Sequence, residues 1–229
     1  MITIFVLIKK LPHMTDEQFH DHWRHPHGTL THRIPQICDY VQNHGIGAKP
    51  SLPGLESTAH LGVPAIKVEQ LSDLDAMFLE PEYKPLQDDS LILYDQTDVI
   101  WLVTQQKTWR RPQELENVPS PVNALLFLRR SSGCPAAEFA LRAEQMAASL
   151  CAAASDPCGC RVSLPALEYY AGKEAPPFDA VVEILYPDLA AHERNWNAAA
   201  SQALIAAALQ DFLQASGTRG ILTRQERVI

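Results

Sequence analysis

The sequence predicts an α+β protein built from two consecutive βαββαβ units whose antiparallel sheets pack on one another. Three observations carry this. A polar, proline-rich segment, RRPQELENVPSP at residues 110–121, divides the 229-residue chain near its middle and reads as a linker. On each side of it the order strand, helix, strand, strand, helix, strand repeats. Finally, AIKVEQLSDLDAM (residues 65–77) resembles AVVEILYPDLAAH (residues 180–192), the mark of a duplication. The expected divisions are thus 1–109, 110–121 and 122–229.

Each element has a local reason. Ile2–Lys9 is a β-branched strand, apolar over too few residues to span a membrane, and no basic segment or cleavage site of a signal peptide accompanies it. Thr15 opens a helix, with Gln18 three residues on as its reciprocal capping partner. Phe19, Trp23 and Leu30 recur along that helix at the helical period. Strands follow at Asp39–Ile46 and Ala65–Gln70. Ser72 is expected to cap a second helix, which Pro81 interrupts because proline lacks the N–H and clashes with the preceding turn. Val99–Gln105 ends the unit as a strand.

In the second unit Asn123–Arg129 is a strand, and Pro135 begins an alanine-rich helix to about Ala154. Arg161–Tyr170 and Ala180–Tyr186 read as strands. Asp188 begins one long helix to about Gln214, and Gly220–Val228 is the last strand. A βαββαβ unit is ferredoxin-like, with both helices on one face of its sheet. The other face must be covered, and the sister sheet in the same chain covers it.

Composition narrows function. Apolar residues make up 46% and charged residues 20%, as in ordinary folded domains. The net charge of -8, without a basic run, argues against nucleic acid as a partner. No membrane segment is expected, and five cysteines in a chain of this size fit reduced thiols in the cytoplasm. GIGAKP at residues 45–50 lacks the context and spacing of a phosphate- or dinucleotide-binding loop, and no nucleophile elbow occurs.

Five of the nine histidines fall in TDEQFHDHWRHPHGTLTH, residues 15–32, and histidine is the side chain most readily poised for proton transfer near neutral pH. On a straight helix His20, Trp23 and His27 share a face. Pro26 removes the bond to the carbonyl of His22, so a kink or an early end near His25–Gly28 is expected, and a kink turns His27 toward a pocket. His20, His22, His25 and His32 are expected on a solvated face, and Trp23 in the core. No metal is expected. His22 and His25 lack a third ligand of fixed spacing, and Cys151, Cys158 and Cys160 lack a matching pair.

The run Phe19, Trp23, His27, Gly28 resembles the signature of the EthD family, and Tyr40, Asn43 and His44 resemble its next strand. The resemblance covers the first half, and the second mainly by order of elements. It implies the dimeric α+β barrel superfamily, whose members normally pair two chains; here both units lie in one, and a homodimer of whole chains stays open. Relatives of the family are linked to fuel-ether degradation and to decarboxylation of aromatic polyketides. More distant ones include polyketide cyclases, monooxygenases and haem-handling enzymes, so fold leaves activity open.

The expected function is a small-molecule enzyme with His27 as general acid/base and His44 or Tyr40 as partner, acting by cyclisation or decarboxylation on a polyketide-like or aromatic acid. Trp23 and Asn43, with Phe78 or Tyr83, are the expected substrate contacts, Phe78 also being an ordinary core residue. The alternatives are an oxidoreductase, cofactor-free or haem-linked, and an accessory ligand-binding protein. Aligning Phe19 with Phe139 puts Ala143 opposite Trp23 and Ala147 opposite His27, which predicts one active pocket rather than two.

Overall fold

The computed structural model describes residues 1–46 and 55–229, so residues 47–50 of GIGAKP lie outside the described residues. In the first unit β1 (Ile2–Leu7) leads to α1 (Asp16–His22), a π-helical turn (Trp23–His27) and α2 (Gly28–Thr31). Strands β2 (Asp39–Gly45), β3 (Glu56–Ser57) and β4 (Gly62–Val68) follow. Helices α3 (Leu71–Leu79) and α4 (Tyr83–Leu93) then precede β5 (Ile100–Arg110).

After a single 3₁₀ turn at Gln113–Leu115, the second unit runs β6 (Val122–Leu128), α5 (Ala136–Ala153) and β7 (Gly159–Pro165). It continues with α6 (Leu167–Tyr170), β8 (Ala180–Tyr186), α7 (Leu189–Trp196), α8 (Ala199–Asp211) and β9 (Arg219–Arg227).

Eight strands close into a barrel in the order β2-β4-β1-β5-β7-β8-β6-β9, with β9 pairing back onto β2. All eight pairings around it are antiparallel, and the short β3 adds to β9 in parallel. The seams between units are β5–β7 and β2–β9, so the sister sheets meet edge to edge as a closed barrel, the form the resemblance implied.

Strand alternation sorts the core. Ile2, Ile4 and Val6 pack under the first unit's helices with Phe19 and Trp23; Val122, Ala124 and Leu126 do so in the second. Phe5, Leu7, Leu125 and Phe127 fill the barrel. Toward its other end the interior turns polar, where Asn123 donates to Asn43 at 3.2 Å and to Glu183 at 3.1 Å, and Arg161 pairs with Glu183 at 3.1 Å.

The duplication reaches individual hydrogen bonds. An offset of 120 residues carries Ile2 onto Val122 and Thr15 onto Pro135, where β1 and β6 begin and where α1 and α5 are capped. Lys10 donates to the carbonyl of Met14 and Arg130 to that of Cys134. The Thr104 hydroxyl donates to the carbonyl of Thr3, and that of Thr223 to Asn123. The N–H of Asp95 meets the carbonyl of Lys9, and that of Gln214 the carbonyl of Arg129.

Several elements differ from expectation. Pro26 does not end the helix, which continues to Thr31. The lost bond is absorbed by the π turn, with the Gly28 N–H reaching the carbonyl of Trp23. The cap of α3 is Gln70, with Asp73 as its reciprocal partner, rather than Ser72, which lies inside the first turn. The predicted strand to Tyr170 stops at Pro165, after which Leu167–Tyr170 coils into a helical turn. The long last helix is two, parted at Asn197–Ala198.

Gly62 positions the site. A methyl group there would lie 2.7 Å from Trp23 Cζ3 and 2.9 Å from Ile8 Cγ1, so the missing side chain is the space the indole occupies. Gly62→Ala is expected to cost about 1–3 kcal/mol by overpacking, read by urea denaturation. Undiminished stability would mean that Trp23 moves aside freely.

Candidate functional site

The site is assembled under the first unit's helices. Thr15 accepts the N–H of Gln18 while the Gln18 side chain accepts that of Thr15, fixing where α1 starts. Four residues after Phe19, Trp23 is fully buried, and its indole N–H donates to the Tyr40 hydroxyl at 2.9 Å. Gln42 donates to the Trp23 carbonyl at 2.7 Å and so ties β2 to the π turn. A glycine follows His27 because a side chain at Gly28 would press on Gln42 Nε2 at 3.1 Å.

The π turn directs His27 inward, where it is 6% exposed, and its Nδ1 lies 2.8 Å from Asp89 Oδ2 on α4. The other carboxylate oxygen lies 2.8 Å from His22 Nε2. One carboxylate thus bridges two imidazoles. Burial opposes the charge on Asp89, but the hydrogen bonds to His27 and His22 outweigh it and hold the group below the usual carboxylate range. Nδ1 of His27 is engaged, and Nε2 has no hydrogen-bond partner among the described residues.

His27 lines a cavity of about 50 Å³ between the helices and the sheet, together with Tyr40, Tyr83, Tyr94 and Trp101. Val6, Ile8, Ile66, Met77 and Leu86 make the rest of the wall largely apolar. Burial pushes all three phenols up, Tyr83 to about 12, so each keeps its proton at neutral pH. The pocket therefore holds one imidazole with an anionic support, several neutral hydroxyls and aromatic faces.

Of the residues singled out from sequence, His27, Tyr40 and Tyr83 come together in this pocket. Trp23 lies beneath it, packed on Phe19 with ring centroids 5.7 Å apart. Phe78 is not a core residue. It is 42% exposed, edge-on to Tyr83 at 5.0 Å and to Trp101 at 6.1 Å, and so forms the rim.

Two residues fall outside the pocket. His44 sits across the indole from it, 4.4 Å between ring centroids, bonded to Gln42 and His20. Asn43 faces the barrel interior by strand alternation and donates to the carbonyl of Val63. Nor is His22 simply solvated, since Asp89 holds it. Asp89, Tyr94 and Trp101 were not singled out. The available signal was a charged residue beside the buried face Leu86, Ser90, Leu93 of α4.

The second unit has none of this chemistry. The 120-residue offset puts Ala143, Ala147, Cys160, Val162 and Leu164 opposite Trp23, His27, Tyr40, Gln42 and His44. Tyr94 bridges to Lys10 as Leu213 does to Arg130, and five residues before each lie Asp89 and Ala208.

The buried His44 makes stability depend on pH. Burial pushes its imidazole down to about 3, Glu226 opposing and His20 and Arg24 adding to the shift. A histidine in the unfolded chain takes up its proton near about pH 6.5. Between those values the unfolded chain binds more protons than the folded one. The stability supplied by the neutral ring is thus complete above the upper value and lost as pH falls toward the lower. His44→Leu, which copies Leu164, is expected to flatten this acid limb in urea denaturation. His192, pushed by burial to about 4, leaves a residual slope. An unchanged slope in the variant would remove His44 from the account.

No curated protein matches the sequence. Among solved structures, an anthrone oxidase-like protein superposes with a TM-score of 0.66 at 9% identity, covering 99% of this chain and 93% of that one. A protein from Lactobacillus acidophilus NCFM, provisionally named a monooxygenase, gives 0.55 at 7% identity, with 100% and 94% covered. A chlorite dismutase from Candidatus Nitrospira defluvii gives 0.53 at 10% identity, with 99% and 91% covered. At such identities these likenesses show a shared fold, the α+β barrel of a duplicated unit. Residues 11–97, which carry the His27–Asp89 pair, match the model of the EthD domain.

Proposed function

We propose that this chain is a small-molecule enzyme whose His27 acts as general acid/base on an aromatic, polyketide-like substrate. The observation that carries the reading is His27 held by Asp89 at 2.8 Å with Nε2 left for a substrate in a mostly apolar pocket. An acidic C–H or phenol placed there gives its proton to Nε2. The electron pair stays on the substrate, spread into its ring and carbonyl, and Asp89 steadies the imidazolium that forms. Neutral phenols of Tyr40, Tyr83 or Tyr94 donate to the oxygen where charge gathers.

Two outcomes follow from that common step. An anthrone-type carbanion reacts with dioxygen, taking up one O₂ and releasing one water as the methylene becomes a carbonyl, without a cofactor. The likeness to an anthrone oxidase-like protein supports this branch. For an aryl acid, no Arg or Lys lines the cavity among the described residues to solvate a carboxylate. That condition favours loss of CO₂, with His27 then returning a proton to carbon. A three-ring substrate exceeds the present cavity, so admitting one requires the rim of Phe78, Tyr83 and Trp101 to move aside.

Haem does not fit this pocket. An imidazole backed by a carboxylate is a suitable iron ligand. The cavity, however, offers no cation for its propionates among the described residues.

With anthrones and aryl acids as substrates, His27→Ala is expected to lower turnover about 10²–10⁴-fold, and Asp89→Asn to lower it too, both folding normally. Oxygen uptake and CO₂ release distinguish the branches. Turnover indifferent to His27 would sink the reading. Ligand binding without turnover, unchanged in His27→Ala, would replace it with an accessory binding protein.

A further inference from the structure

A cleft much larger than the His27 cavity is present elsewhere in the molecule. It lies in the second unit, about 840 Å³, between the first turns of α5, the end of β7, the loop that follows β6 and the segment that leads into β8. Its volume falls within the range of drug-sized ligand sites, roughly 300–1,000 Å³. The duplication explains why it is open. Where α1 presents Asp16, Glu17 and His20, α5 presents Ala136, Ala137 and Ala140, and where β2 carries His44, β7 carries Leu164. In the first unit His20 and His44 meet across this space at 2.9 Å; in the second Ala140 and Leu164 line an opening.

The charge at the mouth has changed as well. Lys9 and Lys10 of the first unit each have their own acid, Asp98 at 3.5 Å and Asp16 at 3.6 Å. Their counterparts Arg129 and Arg130 line the cleft, but Gly217 and Ala136 stand where those acids were. Both arginines instead share Asp179, at 3.9 and 2.9 Å. Arg129 Nη1 donates to the carbonyls of Pro176 and Pro177, and Arg130 Nη1 to that of Cys134. The Nη2 of each guanidinium has no partner among the described residues. A surplus cation thus sits over a floor of Phe139, Ala140 and Leu164 in a chain whose net charge is -8.

We infer that this cleft binds an organic carboxylate with an apolar body, its anionic end on Arg129 and Arg130 and its body on the Phe139–Leu164 floor. The match is of charge and shape, since guanidinium forks suit carboxylates and the floor suits hydrocarbon or a ring. The site is separate from the His27 pocket and does not depend on its chemistry.

Calorimetric titration of the whole chain with octanoate and decanoate, which lack the aromatic ring of a His27-pocket substrate, and with octanol and decanol as uncharged controls, tests this. The carboxylates are expected to bind more tightly than their controls. Arg129→Ala and Arg130→Ala should each weaken carboxylate binding about tenfold or more while sparing the controls. Ala140→Trp, which fills the cleft without touching a charge, should abolish binding of both kinds and keeps the test sound if Arg130→Ala fails to fold. His27→Ala should leave every affinity unchanged. No binding at millimolar concentration, binding indifferent to Ala140→Trp, or loss of binding in His27→Ala would each overturn the assignment.

Discussion

Each unit alone would leave one face and two edges of its sheet bare, and covering them is the constraint on which the rest of the structure depends. An exposed apolar face is unfavourable in proportion to its area, and an unpaired edge invites association. The chain resolves both by joining β5 to β7 and β2 to β9, so that eight strands close on themselves. Closure also carries the last strand onto the first unit's site. Glu226 in β9 holds Arg24 of the π turn at 2.6 and 2.9 Å. The N–H of Val228 bonds the carbonyl of Tyr40. The second unit therefore braces the helix that presents His27, although it contributes no acid or base to the pocket.

Much of the architecture was legible because periodicity and punctuation are local. The Thr15–Gln18 box, the break at Pro81, the Asp188 cap and the strands β1 and β6 follow from neighbouring residues. The misreadings arose where a tertiary partner decides. Gln70 rather than Ser72 caps α3 because β4 delivers the chain with Gln70 already extended. Pro26 reads as a kink in an isolated helix. Here the Trp23 carbonyl accepts both from the Gly28 N–H and from Gln42, and the strand thereby holds a π turn in place.

The site was half legible for the same reason. A histidine at helical spacing from an apolar stripe marks a face, so His27 was readable. Its partner was not, because Asp89 stands 62 residues away on α4, and no spacing rule connects them. His44 misled through proximity in type. It shares β2 with Tyr40 and the helix-facing side of that strand, but the Trp23 indole lies between it and the cavity. A buried neutral imidazole bonded to Gln42 is a structural group, and its depressed pKa reflects desolvation rather than preparation for catalysis.

Duplication explains why the two units have become chemically opposite. A His–Asp pair in an apolar wall needs the polar atoms around its one free nitrogen satisfied, through Asp89, His22, Tyr40 and Gln42 together, and a partial set is worse than none. Losing one member in the second unit removes the reason to keep the others. That accounts for apolar or small residues opposite His27, Asp89, Tyr40 and Gln42, while Arg142, opposite His22, pairs instead with Glu138 and Asp211. Small residues at the same helix face then leave space, which the first unit fills with side chains and the second does not. The barrel tolerates this because its stability resides in the strand seams and the two helix-facing cores, which remain apolar in both units. One copy was thus free to keep a tight, reactive pocket while the other opened a wider one with a different charge.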